Sequence, residues 1–179
     1  MSDHSISIVP RRSNYPDNKA KAKEILNWLL SMNIVNAAPS DCILGSNTGY
    51  AISDGAKQVT AFPDKLPFDL ITNGLEIVTE RKVFDTGQNF INVLSCPHCN
   101  KNIAFDDWDL DPWNKALSDN LSCTRCELET EIHNYRFEPD WGFSDLGFTF
   151  WNWPEFREDF INEFKKKLDC GVSIVRQHI

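Results

Sequence analysis

The sequence predicts an α+β fold, and three observations predict it. Apolar residues alternate with period two in Ser5–Val9 and in Leu146–Phe150. They recur at helical spacing in Ala22–Leu30 and Phe156–Leu168, and each helical stretch is bracketed by extended ones. Between these two strand–helix–strand patterns lies a segment with four cysteines in two C-x2-C pairs.

The elements follow in order. Ser5-Ile6-Ser7-Ile8-Val9 reads as a half-buried strand that Pro10 ends. Pro16 and Asp17 suit a helix first turn, and Ala22, Ile25, Leu26, Leu29 and Leu30 make one apolar face of a helix from about Pro16 to Met32. Asn36–Asp41 reads as a loop. Tyr50–Ile52 and Gln58–Ala61 look like short strands around the turn signal Asp54-Gly55. Leu75–Phe84 reads as one strand, and Asn89–Leu94 returns as another into the first cysteine pair. Past the second pair, Glu129–Phe137 alternates as a strand. Asn152 and Glu155 form a capping-box pattern ahead of the Phe156, Phe160, Phe164, Leu168 stripe. Lys165–Lys167 sit where cations favour a helix C-terminus, Gly171 is placed for a C′ cap, and Val172, Ile174 and Ile179 predict a last strand.

Two strand–helix–strand units with a connection between them are the pattern of a ferredoxin-like split β-α-β core. Residues 1–90 and 138–179 would together form that core, and residues 91–137 an inserted metal module. The extra hairpin over residues 45–62 does not fit this scheme neatly.

Cys96-Pro97-His98-Cys99 and Cys123-Thr124-Arg125-Cys126 present four thiolates on two tight turns, the donor set tetrahedral Zn2+ prefers. A redox C-x-x-C belongs at a helix N-terminus, and neither pair opens a helix here. Met1-Ser2-Asp3-His4 shows no secretory leader, so a reducing cytoplasm is expected and metal ligation is favoured over disulfides. Through these cysteines the chain resembles the zinc ribbons over roughly residues 90–137. The resemblance implies a structural Zn2+ at Cys96, Cys99, Cys123 and Cys126, and no particular activity. Four thiolates fill the coordination sphere, which argues against a catalytic metal.

Composition narrows the function. With 179 residues, 41 % apolar, twelve Phe and six Trp, the chain can bury a core. No run approaches the ~20 apolar residues that span a bilayer. Net charge is −8, and Cys96–Asp140 alone holds four cations against ten anions, a net of −6. Affinity for phosphate backbones comes mainly from Lys and Arg, so nucleic acid is disfavoured as a partner. A regulator that grips nucleic acid through Arg11, Arg12, Lys19, Lys21 and Lys23 is the alternative. A phosphate loop, dinucleotide fingerprint, nucleophile elbow, zinc-protease motif and deaminase signature are all absent, and an enzyme would need an unrecognised site. Asp106-Asp107-Trp108-Asp109-Leu110-Asp111-Pro112-Trp113 imitates the start of a calcium loop, but Pro112 and Ser118 occupy its glycine and glutamate positions. The leading expectation is a non-catalytic protein binding a basic protein partner, in the manner of an immunity or adaptor protein. Asp106, Asp107, Trp108, Asp109, Asp111 and Trp113 are the candidate contact residues. The tryptophans packing inward while the carboxylates face water is the competing reading.

Overall fold

The computed structural model describes residues 2–179. The first half forms β1 (His4–Pro10), α1 (Asn18–Ser31), β2 (Val35–Ser40), β3 (Gly49–Ile52), β4 (Leu75–Val78), β5 (Lys82–Phe84) and β6 (Val93–Ser95). The second forms α2 (Asp111–Asn114), β7 (Asn120–Ser122), β8 (Glu129–Glu131), β9 (Arg136–Glu138), β10 (Gly142–Ser144), β11 (Gly147–Trp151), α3 (Glu158–Leu168) and β12 (Val172–His178). This is a strand-rich α+β architecture.

One six-stranded antiparallel sheet, in the order β12-β1-β11-β4-β3-β2, dominates it. Alternation decides its two faces. Ile8 pairs across to Phe148 and Ile174, and Phe150 to Leu75. These side chains join Ile25 and Leu29 of α1 and Phe160, Phe164 and Leu168 of α3 in one buried cluster. Trp28 locks the helices together, stacked on Phe160 at 5.6 Å and edge-on to Phe164 at 5.1 Å. On the other face Ser7 and Thr149 share a buried hydrogen bond of 2.7 Å, and Val9, Val175 and Phe84 form a smaller cluster. There the β5–β10 pair lies close to the sheet: Gly142 comes so near Val9 that a Cβ would stand 2.9 Å from it.

Several expected boundaries move, each for a tertiary reason. The predicted loop Asn36–Asp41 contributes most of edge strand β2, where Pro39 is tolerated because an edge needs fewer N–H donors. Tyr50–Ile52 pairs with β2 and β4, and no strand forms at Gln58–Ala61. Asp54–Gln58 is a 3-10 turn, held by the Gly55 N–H to the Asn33 carbonyl at 2.8 Å. Leu75–Phe84 breaks at Thr79–Arg81, so β4 joins the main sheet while β5 crosses to β10. Glu129–Phe137 likewise divides into β8 and β9 around a 3-10 turn at Ile132–Asn134. The capping box does not form. α3 starts at Glu158, and Asn152, at φ 63°, accepts from the His4 N–H at 3.0 Å and donates to Asp3 and the Thr72 carbonyl. At the other end Asp169, at φ 52°, takes the left-handed position expected of Gly171.

Candidate metal centre

Each cysteine pair sits on a turn whose backbone repeats the other's. Cys96 N–H donates to the Lys101 carbonyl at 3.1 Å, and Cys123 N–H to the Leu128 carbonyl at 3.0 Å. Asn100 N–H returns to the Cys96 carbonyl and Glu127 N–H to the Cys123 carbonyl, both at 3.0 Å. Asn100 and Glu127 occupy the left-handed region, at φ 57° and 62°, which is how each turn reverses so tightly. His98 N–H points at the Cys96 sulfur and Arg125 N–H at the Cys123 sulfur, both at 3.4 Å. Both turns bring their sulfurs to one cluster.

The four sulfurs then converge from two hairpin-like pairs. β6 leads into Cys96 and is held by β9, while β7 leads into Cys123 and is held by β8. Cys96 Sγ lies 3.8 Å from Cys126 Sγ, Cys99 Sγ lies 3.8 Å from Cys123 Sγ, and all four fall within 4.8 Å of one another. A regular tetrahedron with metal–sulfur bonds of about 2.3 Å has an edge of about 3.8 Å, so the spacing fits Zn2+. The electrostatics divide the cysteines. Burial pushes the Cys96 thiol up, but N–H donors from Cys99 and His98 and the neighbouring sulfurs outweigh it and bring it to about 7. Cys126 goes the other way, to about 11: the Leu128 N–H favours its thiolate, but burial and the crowd of three sulfurs overcome that help. Four thiolates this close would repel one another, and a bound cation would offset that repulsion. These side chains could hold one metal ion with no protein-free position around it. When bound, Zn2+ would supply four bonds that pin the two turns together.

Around the sulfurs Leu94, Ile103, Trp113, Leu121, Ile132 and Phe137 of the segment form a core with Phe143 of β10. Tyr135 passes beneath them and donates to the Leu121 carbonyl at 2.9 Å, and burial pushes its phenol well up.

The six expected contact residues separate into distinct environments. Trp113 is fully buried, so it offers no surface to a partner and that expectation is corrected. Its indole N–H donates to Ser13 Oγ at 2.9 Å, and the Arg81 guanidinium stacks on its ring at 3.9 Å. The short helix α2, opened by Asp111-Pro112, is what turns the ring inward. Trp108 is half-buried, with its ring edge-on to Trp141 at 5.9 Å and its N–H on the Ala104 carbonyl at 3.2 Å. Asp106 is clamped by Arg125 through bonds of 2.6 and 2.8 Å and accepts from Thr124 at 2.7 Å, tying the loop after the first turn to the second. These donors hold its carboxyl below the usual range. Asp107, Asp109 and Asp111 stay exposed, with Asp111 paired to Lys115 at 2.8 Å.

Two residues escaped the sequence reading. Arg81 bonds the Trp113 carbonyl at 2.6 Å, the Ser118 carbonyl at 3.2 Å and Asp119 at 2.7 Å, riveting the metal-bearing segment to the sheet. No local pattern marks it, because all its partners lie more than thirty positions away. Phe105 is 82 % exposed beside the acidic run. Its adjacency to Asp106-Asp107 was visible, but a lone phenylalanine reads as core by default. His133 Nδ1 pairs with Glu131 at 2.7 Å, and its other ring nitrogen meets the Phe143 carbonyl at 2.9 Å. It therefore serves as a tie between β8 and β10.

No helix among the described residues is long and apolar enough to cross a membrane. Compared with protein-family models, with curated proteins and with solved structures, the chain matches none.

Proposed function

We propose that this chain is a non-catalytic interaction protein, in which a structural Zn2+ fixes an acidic surface against a basic protein partner. The observation that carries the reading is Phe105, almost fully exposed on the loop that Asp106 clamps to the second cysteine turn, with Asp107, Asp109 and Asp111 open around it. An exposed aromatic ring next in the chain to an acidic run is the kind of feature that can anchor an interface with electrostatic steering beside it. Phe105 takes the role that sequence gave to Trp113, while Trp108 is half-buried against Phe137 and Trp141. An immunity or adaptor protein covering a basic toxin or nuclease is the kind of protein this describes.

The strand order supports the companion proposal about architecture. β12-β1-β11-β4, all antiparallel with α1 and α3 packed on one face, is the arrangement of a split β-α-β core, and β3 and β2 extend its edge. In this reading residues 91–137 form a zinc ribbon set into the connection between β5 and β10, around a hydrophobic cluster that Phe143 of β10 completes. The nucleic-acid alternative loses ground, since Arg11 is bound to Ser173 and Lys21 to the Lys167 carbonyl and Glu24.

Affinity capture from the native host, followed by binding kinetics on the captured species, tests the proposal. We expect one basic protein, slower association when Asp106, Asp107, Asp109 and Asp111 all become Asn, and faster dissociation for Phe105→Ala. Retention of nucleic acid at moderate salt, or kinetics indifferent to all five substitutions, would overturn it.

A further inference from the structure

A wide cleft lies away from the four cysteines, and its chemistry is opposite in sign to the chain's. It is an open cleft of about 530 Å3 on the outer end of the β1–β12 pair. None of its lining residues comes from the metal-bearing segment. The floor is set by strand register: His4 stands opposite His178, and Ile6 opposite Arg176. Phe62 and Lys65, from the connection between β3 and β4, form one wall, and Pro154 and Glu155, ahead of α3, form another. The volume suits a small organic molecule, for which pockets of about 300–1,000 Å3 are usual.

Charge in this cleft is organised. Glu155 is its single carboxylate, and Arg176 engages both of its oxygens, Nε at 2.5 Å and Nη2 at 2.8 Å. That pairing holds the Glu155 carboxyl below its usual range, so it stays ionised and matched. Lys65 is left over. Its ammonium lies 5.0 Å from the Phe62 ring centroid and pairs with no carboxylate among the described residues. Among the described residues the side chains of Lys65, Asn89 and His178 have no hydrogen-bond partner, and all three line the same opening. Beside them Phe62, 47 % exposed, and Pro154 supply an apolar wall.

We propose that this cleft binds a small organic anion, a carboxylate or phosphate carried on a flat apolar body. The anionic group would sit among Lys65, His178 and the free Nη1 of Arg176, where charge-assisted hydrogen bonds are strongest. The body would lie against Phe62 and Pro154. A cationic molecule would meet Lys65 and Arg176 with only a neutralised Glu155 to receive it. A metal ion would find no ligand set, since the four cysteines are the one group of metal-ligating side chains that converges among the described residues.

Amide chemical-shift titration of the full, zinc-loaded chain tests this with four probes: phenyl phosphate, benzoate, neutral benzyl alcohol and cationic benzylamine. We expect saturable shifts at His4, Phe62, Arg176 and His178 with one or both anions, weakening as salt is raised. Phenyl phosphate binding more tightly than benzoate identifies the anionic group as phosphate, and the reverse order as carboxylate. Lys65→Ala and His178→Ala remove side chains that have no hydrogen-bond partner among the described residues, so the fold should persist while affinity falls about tenfold for each. Anions that fail to saturate, benzyl alcohol or benzylamine binding as tightly as the anions, or affinity unchanged in both variants would each overturn the proposal.

Discussion

The helix-covered sheet and the metal-bearing segment bury similar kinds of side chain but are held by different means. The sheet has strands of up to seven residues, six of them paired in series, and two helices closed over one face. Its core runs continuously from Ile8 to Phe164. In the segment from β6 to β9 every strand is three residues long, and each sheet there has two strands. Two-stranded pairs of that length are marginal on their own. A metal held by the four sulfurs would compensate inside, and Arg81 with Trp113 secures the join. The hydrophobic pattern is enough for the first region, while the second also needs cross-links that backbone pairing cannot provide.

Removing the metal should separate the two regions most sharply. Cys96→Ala, or a strong chelator, should abolish zinc binding and strip amide protection from Val93–Glu138. Amides of β1, β11 and β12 should keep theirs. The free energy of a structural zinc site, on the order of 10–16 kcal/mol in small peptides, is folding free energy for the module that holds it. Zinc by elemental analysis and hydrogen exchange by residue check this. A Cys96→Ala protein that retains one zinc and unaltered protection would refute the role of the centre.

Deleting a ring from each core gives the next largest effect. Trp113→Ala and Phe164→Ala should each lower stability by about 3–5 kcal/mol, the usual cost for a large buried aromatic. They should differ in what else they disturb. Trp113→Ala should speed zinc loss to a competing chelator, whereas Phe164→Ala should leave that rate unchanged in protein that remains folded. Equal effects on zinc release would erase the distinction between the regions. A smaller change sharpens the join: Arg81→Lys keeps the charge but loses the planar stack and the forked bonds, for about 1–2 kcal/mol. Thermal melts monitored separately by zinc release and far-ultraviolet dichroism should show the zinc transition moving first.

The smallest effect concerns Asp106. Asp106→Asn keeps the shape of the clamp but removes its charge, and exposed ion pairs contribute little to folding. The melt should stay where it is. A large drop would make the Asp106–Arg125 clamp part of the structural skeleton and weaken its place on a binding surface.

Where sequence reading succeeded and failed follows the same division. α1, α3, β1, β11 and β12 were legible because long amphipathic runs carry a period that burial enforces. The cysteine turns were legible because ligand spacing is local chemistry. The break at Thr79–Arg81 was not, since Leu75–Phe84 satisfies one strand's alternation and only the separate demands of β11 and β10 divide it. Asn152 was read as a cap from its neighbours. Its side chain instead serves His4, Asp3 and Thr72, all at least eighty positions away.

By itself, then, the sequence determined the two helices, the strands that carry clear alternation, the acidic balance and the four sulfurs. Those properties are encoded in residues close together along the chain. Tertiary structure alone decided that Trp113 points inward onto Ser13 and Arg81 while Phe105 points out. It also decided that His4, Lys65, Arg176 and His178 share a cleft. In each case the deciding partners are distant in sequence, and a side chain's surroundings there are set by how sheets and turns pack rather than by its neighbours in the chain.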